Sequence, residues 1–173
     1  MTVEASVQLN DVNIDAVGRL IDAVESDPAK ANSTWAAQVA WTGGFSSSAT
    51  VRSFPPAPSD EPAILGGSDT APNPVEQLLA ALGNCLAVGY AANATIAGIA
   101  ITSLRIDLTG NLDLRVFLGI SEGYAGFTDI AAQVHIEADA SAEALEALHA
   151  RVVASSPVGH TLGTAVPLTI VQA

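Results

Sequence analysis

The chain is poor in the residues that carry most site chemistry. Among its 173 residues there is one cysteine, which excludes an intrachain disulfide and any multi-thiolate metal centre. Cations are scarce too: six Lys+Arg stand against 18 Asp+Glu, for a formal charge of -12. Phosphate backbones and anionic bilayers repel so negative a surface, so neither nucleic acid nor membrane is expected as a partner. The opening stretch MTVEASVQLNDVNID has no basic region and no apolar run, so no secretory signal is read there. A reducing cytoplasm is the expected compartment. The three histidines, His135, His149 and His160, are dispersed without ligand spacing, and no phosphate-cradling glycine loop with its lysine occurs. No metal and no cofactor is expected.

What the chain has in plenty is apolar surface. Hydrophobic residues make up 49% of it and charged residues 14%. Large exposed patches are rare on monomers, so this balance suggests burial against a second copy. From Gln77 to Leu104 no residue is charged, long enough to cross a bilayer. Asn84, Asn93, Thr95 and several glycines interrupt that run, and a buried central helix is the reading taken.

Local signals place the other elements. Ile14, Val17, Leu20, Ile21 and Val24 have helical spacing within 13–26, and Asp27-Pro28 stops that helix. It belongs to an N-terminal helical extension over 1–30. Trp35, Ala37, Val39 and Trp41 alternate as in a half-buried strand, and Thr42-Gly43-Gly44 turns the chain into a second strand ending near Phe54. Six of the nine prolines fall within 53–74, which reads as a long structureless loop covering the central helix, with Asp60 and Glu61 as solvated loop charges. Asn73 as N-cap, Pro74 at the first helical position and Glu76 three residues on predict a helix from 74 to about 97. Leu104, Ile106 and Leu108 alternate, and Gly110-Asn111 predicts a hairpin turn into Leu112, Leu114 and Val116. A strand over 130–138, a helix over 141–154, a short helix from Ser156-Pro157 and a closing strand over 165–171 complete a single α+β domain spanning 1–173.

Cys85 is the candidate nucleophile, in LLAALGNCLAV at the middle of the apolar helix. A free cysteine in such a run is often a small core hydrophobe; a reactive thiol needs a nearby cation or a helix N-terminus. Neither a lysine nor an arginine lies within a turn or two of Cys85 in sequence, so activation must come through the fold. A Ser156–His160 pair suggests hydrolase chemistry only if an oxyanion hole and an orienting acid accompany it, and the sequence shows neither.

The segment GGSDTAPNPVEQLLAALGNCLAVGY, followed in order by GNLDLRVFLGI, GFTDIAAQVHIEA and SPVGHTL, resembles the OsmC/Ohr family, the osmotically induced and organic-hydroperoxide-resistance proteins. The likeness covers roughly 35–171. It implies an intertwined α+β homodimer, with long buried central helices packed against antiparallel sheets. It also implies oxidative-stress chemistry, in which a cysteine on the central helix reduces organic hydroperoxides and a second cysteine resolves the sulfenic acid. An arginine and a glutamate set the thiolate. The resemblance maps Cys85 onto the reactive cysteine and Ser156 onto the second one, so the two-cysteine cycle is missing. The family's glutamate directly follows Asn-Pro, where Val75 stands here and Glu76 comes next. Nine residues separate Glu76 from Cys85, about 180° and ~13.5 Å on a regular helix, so Glu76 is either a displaced site acid or a capping acid. The family's arginine follows a Gly-Gly turn occupied here by Phe45, and Arg52, later on the same predicted hairpin, is its candidate substitute.

Two functions follow from the resemblance and the composition. One is a one-cysteine hydroperoxide reductase using Cys85, Arg52 and Glu76 and an external thiol. The other is a non-catalytic homodimer holding a small apolar ligand.

Overall fold

The computed structural model describes residues 8–172, so the first seven residues of the 1–30 extension lie outside the described residues. The chain divides into two compact units, one formed by Asp15–Leu78 and the other by residues 8–14 together with 79–172.

The first unit opens with helix α1 (Ile14–Ser26), ended by Asp27, whose carboxylate accepts the Ala29 N–H at 3.2 Å and starts a 3-10 turn at Pro28–Ala31. Strands β1 (Gln38–Gly43) and β2 (Ser46–Thr50) form the hairpin expected around Gly43-Gly44, with a bulge between Trp41 and Gly43. The Trp41 indole N–H donates to the Gly44 carbonyl at 2.9 Å and closes the turn. The chain over 53–74 is not structureless. It contains β3 (Ala57–Ser59), which pairs antiparallel with β2 to complete the order β1-β2-β3, and a 3-10 turn at Ala63–Leu65. Pro58 is tolerated because β3 is an edge strand, with no further neighbour to receive an N–H.

Asp60 and Glu61 are not solvated charges either. Asp60 is 1% exposed and accepts four hydrogen bonds: from the N–H groups of Glu61 (2.9 Å), Ser68 (3.1 Å) and Thr70 (3.3 Å), and from the Thr70 hydroxyl (2.9 Å). Glu61 accepts from the Asn73 side-chain amide at 3.1 Å. The backbone is drawn tight here. A Cβ on Gly67 would lie 1.8 Å from the Glu61 carbonyl oxygen, so only glycine fits.

Helix α2 (Pro74–Ile96) begins as its sequence dictates. Asn73 and Glu76 form a reciprocal capping box: the Glu76 N–H donates to Asn73 Oδ1 at 2.9 Å, and the Asn73 N–H donates to Glu76 Oε2 at 2.8 Å. The helix then runs into the second unit. There Leu82, Leu86, Tyr90 and Ala94, one per turn, are buried with Ile99, Leu148 and Val152 as the core. Beneath them lie two long antiparallel strands, β4 (Ile101–Leu112) and β5 (Phe127–Ala138), which turn Leu104, Ile106, Leu108, Ile130, Val134 and Ile136 toward this core. Between them comes α3 (Leu114–Phe117); after them come α4 (Ala142–Ser155) and α5 (Pro157–Gly163).

Two strand expectations fail. Gly110-Asn111 is not a turn: β4 continues through it, and Gly110 pairs with Ile130. Gly110 instead makes room for an aromatic ring, since a Cβ there would lie 2.7 Å from Phe127. Leu114–Phe117 is helical because Asp113 caps it, accepting the Arg115 N–H at 3.0 Å. The second correction concerns 165–171. It joins no strand pairing among the described residues, and Pro167 removes one of the N–H groups a ladder requires. The N-terminal segment is better anchored. Asn10 donates to the Thr95 hydroxyl (3.0 Å) and the Ile99 carbonyl (2.9 Å) and accepts the Ile101 N–H (2.9 Å), joining the end of α2 to the start of β4.

Candidate functional site

Cys85 sits one position before the buried Leu86 on α2, on the edge of the core stripe, where its thiol is half-buried. This position faces the corner between α4 and α5. There Ser156 ends α4 and caps α5, its hydroxyl oxygen accepting the Gly159 N–H at 3.1 Å ahead of Pro157. Ser156 is thus the N-cap of the short helix expected from Ser156-Pro157. It also meets the thiol: Cys85 Sγ and Ser156 Oγ are 3.3 Å apart, with Ser156 only 4% exposed.

The thiol borders a cavity of ≈ 390 Å³ lined by Asn84, Cys85, Val88, Gly89, Ala92, Val152, Ser155, Ser156 and Pro157. Apolar side chains and backbone make up most of this wall, and no lining residue carries a charge. On the other face of Ser156 lies a second concavity of ≈ 360 Å³, reaching Leu86, Val153 and His160. His160 Nε2 is spent on the Ala154 carbonyl at 3.0 Å, so the Ser156–His160 pair required for hydrolysis does not form.

The remaining candidates lie in the first unit. Arg52 occupies a turn at a positive φ of 51°, rare outside glycine, and its guanidinium stacks over the Phe54 ring at 4.6 Å. The Glu76 carboxylate is engaged in the capping box at the start of α2. Of the three sequence candidates, Cys85 alone is in the second unit and beside the cavity.

Two groups near this site escaped the sequence reading. The sequence places Ser156 at the start of a short helix, and the resemblance places it at the second cysteine's position; neither predicts a hydrogen bond from it to the Cys85 sulfur. Tyr90, 1% exposed in the core, hydrogen-bonds through its hydroxyl to His149 Nδ1 on the exposed face of α4, and burial raises its pKa from the ordinary 10.0. A lone tyrosine and a lone histidine 59 positions apart give no local signal of meeting.

The comparisons with known proteins bear on the family and the fold. The OsmC-like protein family matches residues 66–171, which include α2, Cys85 and Ser156. An OsmC-like protein from Mycoplasma pneumoniae has a similar structure at a TM-score of 0.66 and 20% identity, with 76% of this chain and 89% of that one covered. An organic hydroperoxide resistance protein OsmC from Legionella pneumophila aligns at a TM-score of 0.58 and 18% identity, covering 76% and 91%. An organic hydroperoxide resistance protein from Elizabethkingia anophelis aligns at 0.55 and 15%, covering 75% and 89%. At these identities the likeness establishes the α+β fold. No curated protein matches the chain.

Proposed function

Because the chain belongs to the OsmC-like protein family, we propose that it is a one-cysteine, thiol-dependent reductase of organic hydroperoxides. The observation that carries this reading is the half-buried Cys85 thiol at the wall of an uncharged, mainly apolar cavity of ≈ 390 Å³. Such a cavity takes an alkyl or aryl group and leaves the peroxide oxygens at the sulfur. The sulfur attacks one oxygen of R–O–O–H: an S–O bond forms, the O–O bond breaks, and the alcohol leaves with the proton that Cys85 gave up. Cys85 is then a sulfenic acid. Ser156 cannot form a disulfide, so a low-molecular-weight thiol or dithiol from outside attacks the sulfenic sulfur and releases water. A second thiol group then displaces it as a disulfide and restores Cys85.

Arg52 is the proposed cation for the thiolate, on the family resemblance. Replacing it with alanine is expected to slow sulfenic acid formation. Glu76, held in the capping box, is proposed to act through the helix start. The experiment for the whole reading is consumption of cumene hydroperoxide with several thiol reductants, comparing wild type with Cys85→Ser; consumption that needs both Cys85 and a thiol supports it.

One observation favours a second reading. None of the nine residues lining the cavity is a cation, which suits a module that holds a small apolar ligand without reacting with it. Saturable binding of an apolar fluorophore that is unchanged in Cys85→Ser, with no hydroperoxide consumption, selects this alternative. In either reading we assign the protein to a cytoplasmic homodimer. Support comes from apolar side chains left in the open within each unit: Trp35 and Trp41 by β1, Val88 on α2, and Leu168 and Ile170 in the C-terminal stretch.

A further inference from the structure

We propose that Ser156 is a positioning residue for Cys85: its hydroxyl donates a hydrogen bond to the sulfur and favours the attacking thiolate. The proposal rests on the reading of Cys85 as the reacting thiol and assigns the serine a task that its alignment with a resolving cysteine would not suggest. A hydroxyl has one hydrogen and two lone pairs. At Ser156 the oxygen already accepts the Gly159 N–H at 3.1 Å, which fixes the side chain, while the sulfur lies 3.3 Å away. A thiolate has no hydrogen to give. Once Cys85 is ionised, the contact at 3.3 Å is therefore made by the Ser156 O–H pointing at the sulfur.

The surroundings sharpen this assignment. Ser156 is 4% exposed, so water does not compete freely for its hydroxyl. Its backbone is fixed by the α4–α5 corner, where the following Pro157 holds Ser156 in the extended region. The neighbouring hydroxyl is unavailable: Ser155 Oγ donates to the Arg151 carbonyl at 2.9 Å. No charged side chain lines the cavity on the thiol's side. Within this unit the Ser156 hydroxyl is thus the polar hydrogen that the structure sets against the sulfur. It keeps its proton throughout, since the proton lost by Cys85 leaves with the alcohol.

The test is the rate of Cys85 alkylation by iodoacetamide between about pH 5 and 10 in the full-length protein, for wild type, Ser156→Ala, Ser156→Thr and Ser156→Cys. For Ser156→Ala the profile is expected to move alkaline by about one pH unit, with about tenfold slower sulfenic acid formation from cumene hydroperoxide at pH 7. Ser156→Thr, which keeps the hydroxyl, is expected to restore most of both. An unshifted profile in a folded Ser156→Ala protein overturns the proposal. Loss of the cap can prevent Ser156→Ala from folding, and Ser156→Cys then supplies the independent check. One equivalent of diamide, which oxidises facing thiol pairs without peroxidase activity, is expected to convert it to an intrachain disulfide with no free thiol. A failure to form that bond means the two side chains do not face each other and overturns the proposal as well. Alkylation needs no peroxidase activity, so it judges Ser156, whereas hydroperoxide consumption by the wild type judges the reductase reading separately.

Discussion

A buried carboxylate must be matched by donors, and Asp60 shows what that matching does to pH dependence. Burial pushes its carboxyl up, but the Thr70 hydroxyl and the N–H groups of Thr70, Glu61 and Ser68 more than reverse this and hold it below the ordinary 3.8. A folded-state value below the unfolded one means that the contribution is fully present above the unfolded value and is lost as pH falls through the folded one. Asp60→Asn is therefore expected to lower the melting temperature at pH 7, because its amide must set N–H against N–H donors. The difference from wild type should shrink below about pH 4, which thermal melts across pH will show. Tyr90→Phe is expected to cost about 1 kcal/mol in denaturant unfolding, the usual net value of one hydrogen bond. Neither role was legible in the sequence. Asp60 reads as a loop acid until the chain folds Ser68 and Thr70 back over it, and Tyr90 meets His149 only through tertiary packing.

Helix α2 is the element whose sequence signals were most complete. Asn73, Pro74 and Glu76 lie within four positions, and each acts where local geometry puts it, so start, cap and length were readable without the fold. Asn73→Ala is expected to cost about 1–2 kcal/mol by equilibrium unfolding, through the lost cap and the lost Glu61 contact. Leu86→Ala, in the core stripe beside Cys85, is expected to cost about 2–5 kcal/mol, the usual loss when a core leucine is truncated. Strands were read less well, for a physical reason. Alternation marks a strand but not its partner, so Gly110 looked like a turn when its task was to accommodate Phe127, and β3 was hidden behind its prolines. The stretch 165–171 has strand-like residues, yet a strand exists only where another edge receives it.

For the whole molecule, composition and chemistry meet at one residue, Cys85. The single cysteine, the apolar helix around it and the serine ahead of Pro157 were all visible in the sequence; the 3.3 Å contact and the cavity were not, since Ser156 comes to Cys85 from 71 positions away. The apolar residues exposed within each unit predict that sedimentation will give about twice the 17.5 kDa chain mass, and Trp41→Lys is expected to weaken that association. The central claim is that one thiol reduces organic hydroperoxides with outside help. Its most direct test is intact mass of the full chain after one equivalent of cumene hydroperoxide, with and without a dimedone trap, followed by addition of a dithiol. The account predicts one dimedone adduct at Cys85 and, untrapped, a sulfenic acid that the dithiol returns to the free thiol with turnover. A chain whose mass is unchanged by hydroperoxide while the thiol remains free would contradict it.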